Sequence, residues 1–133
     1  MVVEVAAELS QSQLTIVASR VAAKSGPLYN NPSWDLVDTR RYDAMNIQFS
    51  RGCPFNCEFC NVTTLFGHRT RMKTPRQVIE ELDRIYDAGW RSNIFFVDDN
   101  FIGNRQYLKT QLLPALIEWR KDKKGCVFFT EAS

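Results

Sequence analysis

From Met45 to Phe129 short apolar runs alternate with amphipathic stretches, and this alternation narrows the fold more than any other feature of the sequence. Met45-Asn-Ile-Gln-Phe49 switches between apolar and polar side chains, the period of a short strand. The next unit is a helix: Thr74 suits the N-cap, Gln77 completes a capping box, Pro75 fits the first helical position, and Val78, Ile79, Leu82, Ile85 and Tyr86 share one face before Gly89. Ile94-Phe-Phe-Val97 is a continuous apolar run, expected of a strand buried on both faces, and it ends in Asp98-Asp99-Asn100. A second helix, capped by Asn104, keeps Tyr107, Leu108, Leu112, Ala115, Leu116 and Trp119 at helical spacing. Pro114 removes a backbone donor inside it and predicts a kink. Cys126-Val-Phe-Phe129 predicts another short buried strand, stopping in Thr130-Glu131-Ala132-Ser133. Strand, helix, strand, helix, strand in this order predicts an α/β fold with a parallel sheet and right-handed crossovers. Sites in such sheets lie at the carboxyl ends of the strands, which puts the segment after Phe49, the Asp98-Asp99-Asn100 tip and the Thr130–Ser133 tail on one edge.

Residues 1–40 read as an N-terminal extension and linker, and 41–133 as the organised domain. Val2, Val5, Ala6 and Leu9 fit a helical face, while Leu14-Thr-Ile-Val17 fits a strand equally well; Gly26-Pro27 and Asn30-Asn31-Pro32 mark 25–33 as a break. The 133 residues, 44% hydrophobic, suffice for one modest domain with a core. A formal charge of +2 is too mild for a nucleic-acid partner. No apolar run is long enough for a membrane span and the start lacks a secretory pattern, so the cytoplasm is the expected location.

The chemistry concentrates in Arg51-Gly-Cys53-Pro-Phe-Asn-Cys57-Glu-Phe-Cys60, a C-x3-C-x2-C loop. Four cysteines could make two disulfides in a secreted chain, but three of them crowd between Cys53 and Cys60 and no export signal is visible; crowded cysteines in a reducing compartment suggest a metal. The spacing wraps thiolates around one corner of an inorganic cluster, and Gly52 lets the backbone approach closely. Three ligands, where a four-iron cluster normally has four, leave one iron open to another ligand. The alternative is a structural zinc site, which needs a fourth ligand; only His68 and Cys126 remain, and Cys126 reads as a buried hydrophobe.

At these residues the chain resembles the radical S-adenosylmethionine superfamily, whose CxxxCxxC loop follows the first strand of a partial (βα)6 TIM-like barrel and carries an aromatic before the third cysteine, here Phe59. More narrowly, Trp34-Asp-Leu, the stretch from Ile47 to Cys60, Phe66-Gly-His-Arg and the stretch from Phe95 to Asn104 look like the cobalamin-binding radical enzymes that include hopanoid methylases. The resemblance implies the first three βα units of that barrel. It implies Cys53, Cys57 and Cys60 on three irons of a 4Fe-4S cluster and S-adenosylmethionine on the fourth, with Phe59 near the adenine. Asp98, Asp99 and Asn100 would stand where relatives hold the methionine amino group. Asp98 and Asp99 occupy a different strand tip from the cysteines, so their replacement is expected to spare the cluster. The implied activity is reductive cleavage of S-adenosylmethionine to a 5′-deoxyadenosyl radical, for methylation or other chemistry on a small-molecule or lipid-like substrate. No residue is assigned as catalytic in its own right.

His68, Arg69, Arg71, Lys73 and Arg76 form a basic stretch that reads either as a solvated loop or as a dock for an acidic flavodoxin or ferredoxin. Relatives of this kind carry further strands, so a missing C-terminal half or a partner chain is expected to complete the barrel. A cobalamin domain needs about a hundred residues, which makes cobalamin binding by this chain doubtful. The alternative function is a cluster-binding or electron-transfer module without radical chemistry of its own.

Overall fold

The computed structural model describes residues 32–131. The candidate helix at Val2–Leu9, the candidate strand at Leu14–Val17, most of the linker and the last two residues of the Thr130–Ser133 tail lie outside it. Two short 3-10 turns, Trp34–Leu36 and Thr39–Arg41, lead into β1 (Ala44–Ile47). β2 (Ser50–Arg51) and β3 (Arg71–Met72) flank the cysteine loop and α1 (Val62–Phe66). α2 (Pro75–Asp87), β4 (Asn93–Phe96), α3 (Arg105–Tyr107), a π-helical turn (Leu108–Leu112), α4 (Leu113–Asp122) and β5 (Val127–Thr130) follow. No described helix is long and apolar enough to cross a membrane.

β1, β4 and β5 form one parallel sheet in that order, as the alternation predicts. Met45 lies beside Ile94 and Ile47 beside Phe96; Ile94 in turn lies beside Phe128. Residues of period two therefore share a face. Met45, Ile47, Ile94 and Phe96 meet Val78, Leu82 and Ile85 of α2 and Leu116 and Trp119 of α4 in a single buried core. Burial of that apolar area is the main force holding the helices on the sheet.

α2 begins as expected: Thr74 accepts from the Gln77 amide while the Gln77 side chain accepts from the Thr74 amide. Asn104 likewise accepts from the Tyr107 amide. The second long helix departs from a simple kink. Its middle widens into the π turn just ahead of Pro114, where a proline ring would otherwise collide with the carbonyl one turn back.

β5 is not buried on both faces. Val127 and Phe129, on the face turned away from the helices, are exposed, while Phe128 and Thr130 are half-buried, Phe128 against the core. In β4, too, Phe95 is only half-buried, and it stacks on Phe129 with ring centroids 4.8 Å apart. Lys73 also departs from expectation. It is buried rather than part of a solvated basic loop, and it pairs with buried Glu81 at 2.5 Å. Burial holds the Glu81 carboxyl above the usual carboxylate range, with the Lys73 ammonium opposing that rise.

Candidate functional site

Beyond β1 the chain turns out of the sheet into a two-stranded antiparallel ladder, β2 with β3, pairing Ser50 with Met72 and Arg51 with Arg71. This ladder has no signature in the hydrophobic pattern, since each strand is two residues long. It closes the base of the cysteine loop, helped by the Lys73 amide donating to the Phe49 carbonyl at 2.8 Å. Gly52 follows with φ +92°, and a Cβ there would stand 2.8 Å from the Arg69 carbonyl oxygen. Only glycine combines that backbone with that contact. Arg51 lies over the Phe66 ring at 5.2 Å and donates to Gln48 at 2.7 Å, tying α1 back to the loop entrance.

The polar tip of β4 reaches across and grips the same loop. The Asp98 carboxylate accepts from the Phe49 amide at 3.1 Å and from the Ser50 amide. Asp99 accepts from the Gly52 amide at 3.1 Å. The Asn100 side-chain amide donates to Cys53 Sγ at 3.7 Å. Asp98 and Asp99 lie on a different strand tip from the cysteines, yet they hold the backbone that leads into the first one. Burial pushes the Asp98 carboxyl above its ordinary value; hydrogen bonds from Ser50 and Phe49 pull it down, and neighbouring Asp99 adds to the rise.

Among the predicted site residues, Asp98, Asp99, Asn100 and Cys53 come together. Phe59 does not join them: it is 92% exposed. Cys53 and Cys60 are half-buried and Cys57 is exposed, all with free thiols. The Cys60 amide donates to the Cys57 carbonyl at 3.1 Å, forming a turn between the second and third cysteines. No three His, Cys, Asp or Glu side chains among the described residues gather into a metal-holding set, so the three sulfurs are not drawn together. The donors nonetheless suit a thiolate-ligated cluster in kind: free thiols on one loop, a glycine that admits close backbone approach, and a base fixed by hydrogen bonds. Cys126 is fully buried beneath the sheet, its thiol within 3.7 Å of the Trp90 carbonyl and pushed up by burial. It stands as the small core residue that its apolar surroundings predict.

Residues 47–130 match the Radical SAM superfamily. The chain belongs to that superfamily, a family of enzymes built on α/β, TIM-like architecture. It is 48% identical to an uncharacterized methyltransferase of Synechocystis sp. over 103 residues, 77% of this chain and 19% of the relative. It is 48% identical to the hopanoid C-2 methylase of Rhodopseudomonas palustris over 94 residues, 71% of this chain and 18% of that protein. The hopanoid C-3 methylase of Methylococcus capsulatus is 37% identical, across 51% of the chain and 14% of the relative. The chain therefore spans about a fifth of the length of the curated relatives it matches. No solved structure matches at comparable stringency.

Proposed function

We propose that this chain supplies the cluster-binding part of a radical S-adenosylmethionine methylase, as the first three βα units of a partial (βα)6 barrel. Cys53, Cys57 and Cys60 hold a 4Fe-4S cluster, whose fourth iron takes S-adenosylmethionine. When bound, the cluster would pass one electron from the external reductant to the sulfonium, whose carbon–sulfur bond would break to give methionine and a 5′-deoxyadenosyl radical. The observation that carries this reading is the grip of the β4 tip on the cysteine loop, which sets both at the carboxyl edge of one parallel sheet.

Within that arrangement Asp99 is the best placed anion for the methionine ammonium, because it is exposed and holds the loop through one oxygen only. Asp98 is committed through both oxygens, and its role is to fix the loop. Phe59 and exposed Phe55 offer apolar surface to an adenine ring once the loop folds over the cluster. The names of the hopanoid methylases favour a lipid-like substrate whose unreactive carbon is methylated. A small acidic flavodoxin or ferredoxin is the proposed reductant. Its dock is exposed His68, Arg69 and Arg76 with half-buried Arg71, without Lys73. Cobalamin is left out of this reading.

The deciding experiment is anaerobic reconstitution with iron and sulfide, reduction, and electron paramagnetic resonance before and after S-adenosylmethionine is added. A changed signal is expected, since the compound binds the open iron. An unchanged signal from a full cluster would favour an electron-transfer module instead, and zinc uptake with no cluster would favour a structural site.

A further inference from the structure

Asn100 is 4% exposed, yet it is an uncharged amide set among aspartates at a polar tip. Its Nδ2 lies 3.7 Å from the sulfur of Cys53, a residue 47 positions away. Sulfur is larger than oxygen and accepts at correspondingly longer distance. A cysteine acting as a metal ligand is a thiolate, which carries lone pairs and no proton, so only the NH2 end of the amide can serve it. The Asn100 oxygen is buried with no hydrogen-bond partner among the described residues. The orientation of the amide is thus fixed by what its nitrogen does.

The neighbourhood keeps this amide in place. Asp98 and Asp99 pin the preceding residues to the Phe49, Ser50 and Gly52 amides, and the Asn100 carbonyl accepts from Gly103 at 3.1 Å. A Cβ on Gly103 would stand 3.2 Å from the Asn100 carbonyl oxygen and 3.5 Å from Cδ of Pro54, the residue after Cys53. The glycine therefore lets the tip and the loop touch.

We infer that Asn100 is a positioning residue for Cys53: its side-chain N–H fixes the first thiolate of the loop and withdraws charge from it. The inference rests on the proposed role of Cys53 as a cluster ligand. Reduction adds an electron to an already anionic cluster, so a donor to a ligand sulfur stabilises the reduced form more than the oxidised form and raises the reduction potential. Without the Asn100 amide the cluster is harder to reduce.

The test uses the full chain and its Asn100→Asp and Asn100→Leu variants, each reconstituted anaerobically with iron and sulfide. Iron and sulfide content is measured first. Each protein is then titrated with dithionite, which passes one electron to each cluster and is oxidised to sulfite, while paramagnetic resonance follows the reduced cluster. Both variants are expected to hold clusters whose midpoint potentials are more negative than the parent's, with Asn100→Asp shifted further because it adds a negative charge. Asn100→Asp is nearly isosteric and decides the matter if Asn100→Leu fails to fold by circular dichroism. Unchanged potentials overturn the inference, and so does a fall in cluster content with the parent's potential in what remains, which would mark Asn100 as merely structural. If the parent itself takes up no cluster, or Cys53→Ala keeps a full one, the ligand assignment fails and takes this inference with it.

Discussion

A half-buried carboxylate that holds two backbone amides is occupied, whereas an exposed one with an oxygen to spare is available, and this separates Asp98 from Asp99. Asp98→Asn would turn an NH2 toward an amide that already donates, and a hydrogen bond lost at a site screened from water costs about 1–3 kcal/mol. We expect Asp98→Asn to lower thermal stability and cluster yield together, and Asp99→Asn to weaken S-adenosylmethionine binding at near-parental cluster content. Thermal unfolding, iron analysis and equilibrium binding on both variants check this; identical behaviour of the two would remove the distinction. Among the cysteines, Cys53→Ala, Cys57→Ala and Cys60→Ala should each abolish stable cluster assembly, while Cys126→Ala keeps the parent's iron and sulfide and loses about 1 kcal/mol from the small cavity it opens. Retention in any loop variant, or loss in the Cys126 variant, would redraw the ligand set. The spacing marks the cysteine loop, and the apolar run around Cys126 sets that residue apart from it. The amide contacts of Asp98 and Asp99 were not legible, because they join residues 47–49 positions apart with no local pattern to announce them.

Elements marked by strong local chemistry are where sequence and structure agree best. The Thr74 capping box and the apolar face of α2 stand as expected, because side chains three and four apart decide them. Removing the cap with Thr74→Ala should cost about 1 kcal/mol. The ladder of β2 with β3 and the burial of Lys73 have no signature in the sequence, since two-residue strands carry no period and a lysine beside arginines reads as solvated. The Lys73–Glu81 pair gives the sharpest test at this scale. Lys73→Met leaves an unpaired buried carboxylate, which costs about 3–5 kcal/mol, whereas Lys73→Met with Glu81→Leu should be nearly neutral. The pH dependence has a definite sign. A carboxyl raised in the folded state binds its proton more tightly there than in the unfolded chain, so its contribution to stability is present below the ordinary carboxylate range and is lost as pH rises through the raised value. In Lys73→Met, where the opposing ammonium is gone, that loss should steepen. Denaturant midpoints measured from pH 4 to about 8 check it, and a variant that gains stability as pH rises would contradict the burial argument.

Among the described residues, the sheet is covered on one face only. Its helix-facing side carries the core, but the other side shows Val127 and Phe129 to solvent, and β5 offers its outer edge with no described strand beside it. Next to that edge a cavity of 320 Å³ opens between α4 and the sheet, lined among others by Leu113, Ile117, Phe128 and Phe129. An unpaired strand edge flanked by apolar side chains invites pairing with another chain, and intact barrels avoid this by closure. The 133-residue chain on its own should therefore self-associate as concentration rises, and it should release little 5′-deoxyadenosine. Val127→Lys with Ile117→Lys places charge on exposed positions that make no part of the core, so the pair should restore a monomer at little cost to folding. Extending the chain with the barrel strands of a relative should also give a monomer, and should raise 5′-deoxyadenosine release, which the lysine pair leaves low. Light scattering across a concentration series, with product measured anaerobically in the presence of dithionite, separates the two effects. A monodisperse parent that matches the extended protein's rate would show that three strands already enclose the site and that the uncovered face has no bearing on catalysis.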